Sequence, residues 1–319
     1  MDVLVLAGGF GTRLRPWTTG RAKPLLPVLD MTLLERVVEC VPSSLVDRVV
    51  VAAGYGIDEM RSFSSSGEAD YEIILSIEED ALGTGGAVAN ARPLLSGSGP
   101  VLVLNGDLVS SVDVTALLDH HNSKSASVTL SLWSVDDPSR FGVCDLGQDG
   151  MVRRFQEKPD PGTEFSNLIN AGCSIISREA LDSLPEGSYS MEREVFPGIA
   201  ESGRMAGLEF SGYFVDAGTP DSFIEAAQVC IENGRFSSGH STGDSWFGTG
   251  ATSEGEVSGC SIGPGAVVSS GATLTDCVVL EGARIGSRAI LKRCLIGEGA
   301  LIPDDSNMFG KIIGHGQSE

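Results

Sequence analysis

From Cys260 onward the chain repeats itself. Set one above another, CSIGPGAVVSSGATLTD, CVVLEGARIGSRAILKR and CLIGEGALIPDDSNMFG begin at Cys260, Cys277 and Cys294, a period of 17. Apolar residues recur at the third, ninth and fifteenth places: Ile262, Val268 and Leu274, then Val279, Ile285 and Leu291, then Ile296, Ile302 and Met308. Three apolar positions per turn, six apart, describe a triangular coil. Small residues fill the seventh and thirteenth places (Ala266, Ala283 and Ala300; Ala272, Ala289 and Ser306), where a tight corner admits nothing larger, and Gly265, Gly282 and Gly299 precede the first of these. The segment KIIGHG from Lys311 starts a fourth coil and stops.

The pattern resembles the hexapeptide-repeat, left-handed parallel β-helix with one residue dropped per coil. About three coils are near the minimum for a stable stack, so its open ends are expected to dock on the rest of the chain or on a second copy. Hexapeptide stacks also serve as acyltransferase scaffolds, which need a positioned His. Only His315 lies in the coils, in the terminal stub, and this argues against that chemistry. Seven Cys with no CxxC pair argue against a disulfide framework and against a zinc site. The three stacked Cys are expected to form a packed ladder. The Gly-, Ser- and Thr-rich stretch before them is expected to be a linker and cap over residues 236–259, leaving 1–235 as a first domain and 260–319 as the β-helix.

In the first domain, apolar runs of strand length (DVLVLA, RVVVAAG, YEIILSIE, VLVLNGD) alternate with helical patterns, one from about Thr32 to Val41 and another from about Gly83. This is the rhythm of βαβ units around a mainly parallel sheet. ASVTLSLWSV, FGVCDLG and MVRRFQEKP follow with little helix between them, which implies antiparallel additions. GYFVDAG and the helix PDSFIEAAQVCIEN close the domain near Gly234. The fold class is α/β, a Rossmann-like mixed sheet followed by a short β-helix.

The formal charge of -21 repels nucleic acid and anionic membrane. The first apolar run is too short for a signal-peptide core and no stretch reaches spanning length, so a cytosolic protein is expected. Against that acidity one basic cluster stands out. LAGGFGTRLRPWTTGRAKPLLPV, residues 6–28, places Arg13, Arg15, Arg21 and Lys23 directly after the first strand and its glycines. A Walker loop needs a Gly-Lys-Ser/Thr ending, and a dinucleotide fingerprint needs a third Gly opening the helix; both are absent. What remains is a turn whose backbone N–H groups can approach an anion, flanked by cations able to hold polyphosphate.

Through the ordered set LAGGFGTRLRP…KPLLPV, LGTGGA, NGD, FGV, EKP, INAG and VDAGTP, residues 1–235 resemble the sugar-nucleotide pyrophosphorylases, which join an NTP to a sugar 1-phosphate. The β-helical tail resembles the two-domain members of that family, particularly those that transfer guanylyl to mannose 1-phosphate. One departure is VLDMTLLERV, where the family has Gly-Lys/Arg-Pro at the place of Asp30, Met31 and Thr32; this loop is expected to be structural.

The resemblance implies that Leu6, Ala7, Gly8, Gly9, Gly11, Thr12, Arg13, Lys23, Glu78, Gly83 and Asp107 bind nucleotide. Arg13 would clamp the leaving pyrophosphate and Lys23 the α-phosphate. Asp107 and Asp216 each end a strand, and two carboxylates from separate strand ends suit Mg²⁺, which takes one or two carboxylates together with phosphate oxygens and water. By the same resemblance Lys158 contacts the sugar phosphate and Glu157 the sugar hydroxyls, helped by Gly142, Asn170 and Gly172. Adjacent strand residues point to opposite faces unless the chain bends, and Pro159 makes a bend at Glu157 and Lys158 plausible.

Glu78 lies where the family reads the base. Guanine offers N1–H and N2–H₂ side by side to one carboxylate, whereas uracil and thymine offer one N3–H between two carbonyls; this favours GTP. A uridylyl- or thymidylyltransferase acting on glucose 1-phosphate stays open, as does a non-catalytic sugar-nucleotide-binding subunit. Arg13, Lys23, Asp107, Lys158 and Asp216 are all present, which favours the enzyme. A homo-oligomer assembled through the β-helix or its ends is expected.

Overall fold

A computed structural model describes residues 1–318 apart from 68 and 70; residue 319, the last of the expected β-helix, lies outside the described residues. The chain divides into two compact units, Met1–Gly9 with Val37–Phe214, and Phe10–Arg36 with Val215–Glu319.

The first unit is built on a nine-stranded mixed sheet: β1 (Asp2–Leu6), β2 (Arg48–Ala53), β3 (Ile73–Ile77), β4 (Val101–Asn105), β5 (Val128–Ser134), β6 (Gly142–Leu146), β7 (Val152–Glu157), β8 (Leu168–Ile176) and β9 (Met205–Glu209). The order β7-β6-β8-β4-β1-β2-β3 runs across it, with β5 on β8 and β9 on β5. Strands β3, β2, β1 and β4 are mutually parallel, and β8 runs antiparallel to β4. The apolar runs that mark β1, β2 and β4 are buried on both faces, as a helix-covered parallel sheet requires. The expected antiparallel additions are present as β5, β6 and β7, joined to the sheet through β8.

Register decides where chemistry can be placed. Leu6 pairs with Ala52 and Asn105, and Ala53 pairs with Ile77, so the four parallel strands end level with one another. Their following residues (Gly8, Gly54, Glu78 and Gly106) therefore crowd one edge of the sheet. In an open α/β sheet the carboxyl ends of the strands are where ligands bind. Helix Gly83–Ala91 opens beside this edge and packs its small residues, Gly85 to Ala89, into the core.

In the second unit the coils are stacked as the repeat requires. Strands at 261–262, 278–279, 295–296 and 312–313 form one parallel face, 267–268, 284–285 and 301–302 a second, and 273–275, 290–292 and 307–309 a third. The nine apolar positions read from the repeat are buried. Left-handed backbone at Gly259, Gly265 and Gly271 and again at Asp276 marks the corners; the last side is five residues long where the others are six, which locates the dropped residue. Cys277 and Cys294 donate their backbone N–H to the sulfurs of Cys260 and Cys277, at 3.2 and 3.4 Å, so the thiols form a buried ladder.

Two boundaries differ from expectation. Residues 245–258, expected as linker and cap, form a further coil, with Phe247, Ala251 and Val257 packed on the core. Residues 10–36 and the helix Pro220–Glu232, expected in the first domain, belong to the β-helical unit. The physical reason is what they bury: the Trp17 ring meets the edge of Phe223 at 5.7 Å, and Gln228 donates to the Gly259 carbonyl and to Asp276 at 3.0 and 2.9 Å. The expected helix from Thr32 to Val41 is shorter, Leu33–Val38.

Asp30, the departure noted above, is structural. Arg36 is fully buried and donates to Asp30 Oδ1 at 2.6 Å and to the Val28 carbonyl at 3.1 Å. The other Asp30 oxygen accepts the N–H groups of Ser237 and Ser238 at 2.7 and 2.8 Å. One side chain thus closes the turn and pins the segment that leads into the coils.

Candidate functional site

In the first unit the turn after β1 starts at Ala7, whose N–H is held by the Ala52 carbonyl at 2.8 Å. Gly8 follows, and the Glu78 carboxylate lies over it: a β-carbon built on Gly8 would sit 3.2 Å from Oε1. Glu78 is held from both ends. Its N–H donates to the Ala53 carbonyl at 2.9 Å and its Oε2 accepts the Leu82 N–H at 3.3 Å. Burial pushes its carboxyl above the usual range, and the Leu82 N–H only partly offsets this. The Glu78 carboxylate is thus a buried hydrogen-bond acceptor beside Gly8. Glu79 and Asp80 are exposed, so the acidic run divides at Glu78.

After β4 the Gly106 N–H donates to the Leu6 carbonyl at 2.9 Å, bringing the NGD turn hard against the end of β1. Asp107 comes next and is half-buried at that edge. Gly83 is exposed in the turn that follows Glu78, but the N–H groups of Gly85 and Gly86 donate to the Tyr189 carbonyl at 3.0 and 3.3 Å and face protein rather than ligand.

A second cluster forms where β7 and β8 end. Lys158 has φ 45°, and this left-handed residue is the bend that brings its ammonium to the same side as its neighbour, 3.0 Å from Glu157 Oε1. The other Glu157 oxygen lies over Gly142, which has no side chain to displace it. Asn170 Oδ1 accepts the Gly172 N–H at 3.2 Å, and the Asn105 amide rests on Gly172. Asn105, Asn170, Gly172 and Glu192 line one small cleft. Sequence reasoning passed over Asn105 and Glu192. Glu192 accepts from Thr84 and from Ser190 at 2.5 and 2.7 Å, tying the LGTGGA turn to the segment Met191–Val195, a link between residues 108 apart that no local pattern signals.

A cleft of 660 Å³ in this unit is lined by none of the expected residues. Its rim carries Glu179, Glu186 and Glu194 against one cation, Arg204. Such a rim repels anions.

In the second unit the residues expected at the phosphates are held in tight 3₁₀ turns, Thr12–Leu14 and Lys23–Leu25. Gly11 is left-handed, with φ 57°, and a β-carbon there would lie 2.9 Å from Thr18 Cγ2 and 3.2 Å from Lys23 Cβ. Only glycine supplies both the backbone and the space. Lys23 is 9% exposed with its stem against Gly11, whereas Thr12, Arg13 and Arg15 are exposed. Arg21, expected in the polyphosphate cluster, is instead committed to Glu298, with Nη2 to Oε2 at 2.9 Å.

Asp216 stands just before a firmly capped helix: Thr219 and Ser222 exchange side-chain to N–H bonds at 3.2 and 3.0 Å, with Pro220 between them. A β-carbon on Gly218 would lie 2.8 Å from Asp216 Oδ1 and 2.9 Å from Arg13 Nη2, so the two charges face one another over this glycine. Of the carboxylates expected to bind metal, Asp216 lies in the second unit and Asp107 in the first. Among the described residues no cluster of three or more His, Cys, Asp or Glu side chains could hold a metal by itself.

Residues 2–233 match the family described as nucleotidyl transferase, and residues 229–314 match the GlmU-like, C-terminal hexapeptide family. The chain is 36% identical over 232 residues to the mannose-1-phosphate guanylyltransferase of Mycobacterium tuberculosis, covering 71% of this chain and 64% of that protein. It is 34% identical over 293 residues to mannose-1-phosphate guanylyltransferase 1 of Arabidopsis thaliana, covering 86% of this chain and 80% of that one. Among solved structures, HddC of Yersinia pseudotuberculosis complexed with GMP-PN superposes with a TM-score of 0.59 at 28% identity, over 71% of this chain and 97% of that one. Among the described residues no helix is long and apolar enough to cross a membrane.

Proposed function

We propose the following reaction, given that this chain belongs to the nucleotidyl transferase family: a phosphate oxygen of mannose 1-phosphate attacks the α-phosphorus of GTP, and GDP-mannose and pyrophosphate are formed. The observation that carries the choice of base is Glu78, a buried carboxylate set over Gly8 at the end of the parallel strands. The names of the guanylyltransferase relatives support the same choice and the choice of sugar.

A phosphate monoester, with a second pKa of about 6, is already largely dianionic near neutrality. No general base is needed, and the protein's contribution is positioning and charge neutralisation. Gly8, Gly9 and Gly11 present backbone to the triphosphate, with Leu6, Ala7, Thr12 and Gly83 around it. Arg13 draws charge from the leaving pyrophosphate. Lys23, its stem fixed against Gly11, holds its ammonium to the α-phosphate. Glu78 accepts the two adjacent guanine donors. At the sugar end Lys158 neutralises the phosphate and Glu157 accepts from ring hydroxyls, while Gly142, Asn170 and Gly172 shape the floor.

Mg²⁺ is the cofactor in this reading. Asp107 and Asp216 would hold it, each a carboxylate at a strand end. When bound it supplies charge on the phosphate oxygens that bear the developing negative charge. We extend the reading to a cytoplasmic homo-oligomer assembled through the β-helix, supported by Ile290, Leu301 and Phe309, large apolar side chains that point out of the coils.

The test is pyrophosphate release with Mg²⁺ over a grid of GTP, UTP, dTTP, ATP and CTP against mannose, glucose, galactose and N-acetylglucosamine 1-phosphates. The expected maximum is GTP with mannose 1-phosphate. A maximum elsewhere overturns the base and sugar choice, and sugar-nucleotide binding without release from any pair overturns the reaction.

A further inference from the structure

The fourth, broken coil has no part in the reaction just described, yet it carries His315, whose two ring nitrogens face different elements of its unit. Nδ1 accepts the Glu298 N–H at 3.1 Å from the coil before. The ring proton is therefore on Nε2, which donates to the Trp17 carbonyl at 3.2 Å. Trp17 is fully buried; its indole N–H donates to the Ile313 carbonyl at 2.8 Å, and its ring stacks on His315 at 6.1 Å between centroids. Four residues on, Arg21 forks onto both oxygens of Glu298. Two successive coils thus grip the loop at Trp17 and Arg21. From there the contacts run to the reacting groups: Thr18 donates to the Gly11 carbonyl at 2.9 Å, and Gly11 packs on the stem of Lys23, two residues from Arg13.

We infer that the end of the β-helix is a positioning device for the phosphate loop. His315 and Glu298 hold Trp17 and Arg21 so that Arg13 and Lys23 are set before the nucleoside triphosphate arrives, which lowers the ordering cost of binding it. His315 is a positioning residue and touches no substrate. The inference rests on the proposed nucleotidyl transfer for what the loop binds, and on the geometry alone for the loop's order.

Full-length His315→Gln and His315→Asn separate the two nitrogens. Gln can place an N–H where Nε2–H stands and keep the Trp17 carbonyl; Asn can accept from Glu298 but does not reach Trp17. His315→Asn and Glu298→Ala are expected to raise KM for GTP about five- to tenfold, with kcat and KM for the sugar 1-phosphate changed less than about twofold, and His315→Gln is expected to stay near wild type. A second readout needs no reaction. Trypsin can cut the loop after Arg13 and Arg21, since Arg15 and Lys23 precede proline; cleavage should quicken in His315→Asn and Glu298→Ala and not in His315→Gln. If wild type transfers no nucleotide, the reaction fails while the cleavage rates still judge the brace. Folded His315→Asn and Glu298→Ala proteins with wild-type cleavage overturn it, as does a loss confined to kcat. If Glu298→Ala does not fold, the Asn and Gln pair decides.

Discussion

Arg13 and Asp216 face one another across Gly218, each within 3 Å of where a methyl group on that glycine would stand. In the proposed reaction this glycine leaves open the space in which the cation and the carboxylate would meet the polyphosphate. Gly218→Ala should therefore fold normally and lose kcat/KM by roughly 10²-fold, because a displacement of about 1 Å in reacting groups costs on that order. Steady-state kinetics beside a thermal melt check it; a lowered Tm with intact activity would refute the assignment.

Glu78 is expected to combine a functional gain with a stability cost. Its carboxyl is raised by burial, so the ionised form weighs against the fold at neutral pH, and that cost disappears as pH falls below the unfolded value. Glu78→Gln should raise Tm at pH 7 while cutting discrimination between GTP and UTP about tenfold. In wild type the same discrimination should fade as pH drops through the raised pKa, since the base needs the carboxylate. Competition assays across pH 4.5 to 8 read both.

The Asp30–Arg36 pair carries the acid sensitivity of the β-helical unit. Burial pushes the Asp30 carboxyl up, but the Ser238 and Ser237 N–H groups and Arg36 together bring it below the usual range. Arg21 likewise lowers Glu298. A depressed carboxyl stabilises above its unfolded pKa and loses that contribution as pH falls through the folded one. Stability should thus drop below pH 4. Asp30→Asn, which strands a buried guanidinium, should cost about 3 kcal/mol by urea titration at pH 7.

Thiol chemistry gives a further check. Of seven Cys only Cys40 is not fully buried, and the ladder holds Cys277 up to about 12. Native protein should release one equivalent to a disulfide reagent and seven after unfolding. Fast labelling of two or more would contradict the packed coils.

How much of this was legible depended on whether the physical cause was local. The 17-residue period was visible because each coil buries the same three positions. The coil at 245–258 was not, because Trp246 pairs with Ser261 and Thr252 with Val267, 15 apart, while Glu256 pairs with Thr273, 17 apart, so no single period fits. The bend at Lys158 could be anticipated from Pro159. The cations of the loop could be recognised as a class, but the assignment of Arg21 to Glu298 spans 277 residues and had no local sign. Asn105 and Glu192 join the cleft of Asn170 and Gly172 only once β4, β8 and the segment after Tyr189 are side by side.

The helix Pro220–Glu232 lies along the stack. Gln228 reaches the corners at Gly259 and Asp276, and Asp221 reaches the next equivalent corner at Arg293. Glu298 and His315 grip Arg21 and Trp17 one and two coils farther on. Each added coil would lengthen the stack by about 4.8 Å. A solenoid anchored at both ends to non-repeating chain is a ruler of fixed length. Duplication, by which repeat arrays ordinarily grow, would here carry the far end past the loop it holds, so the number of coils is as much a part of the site as any side chain in it.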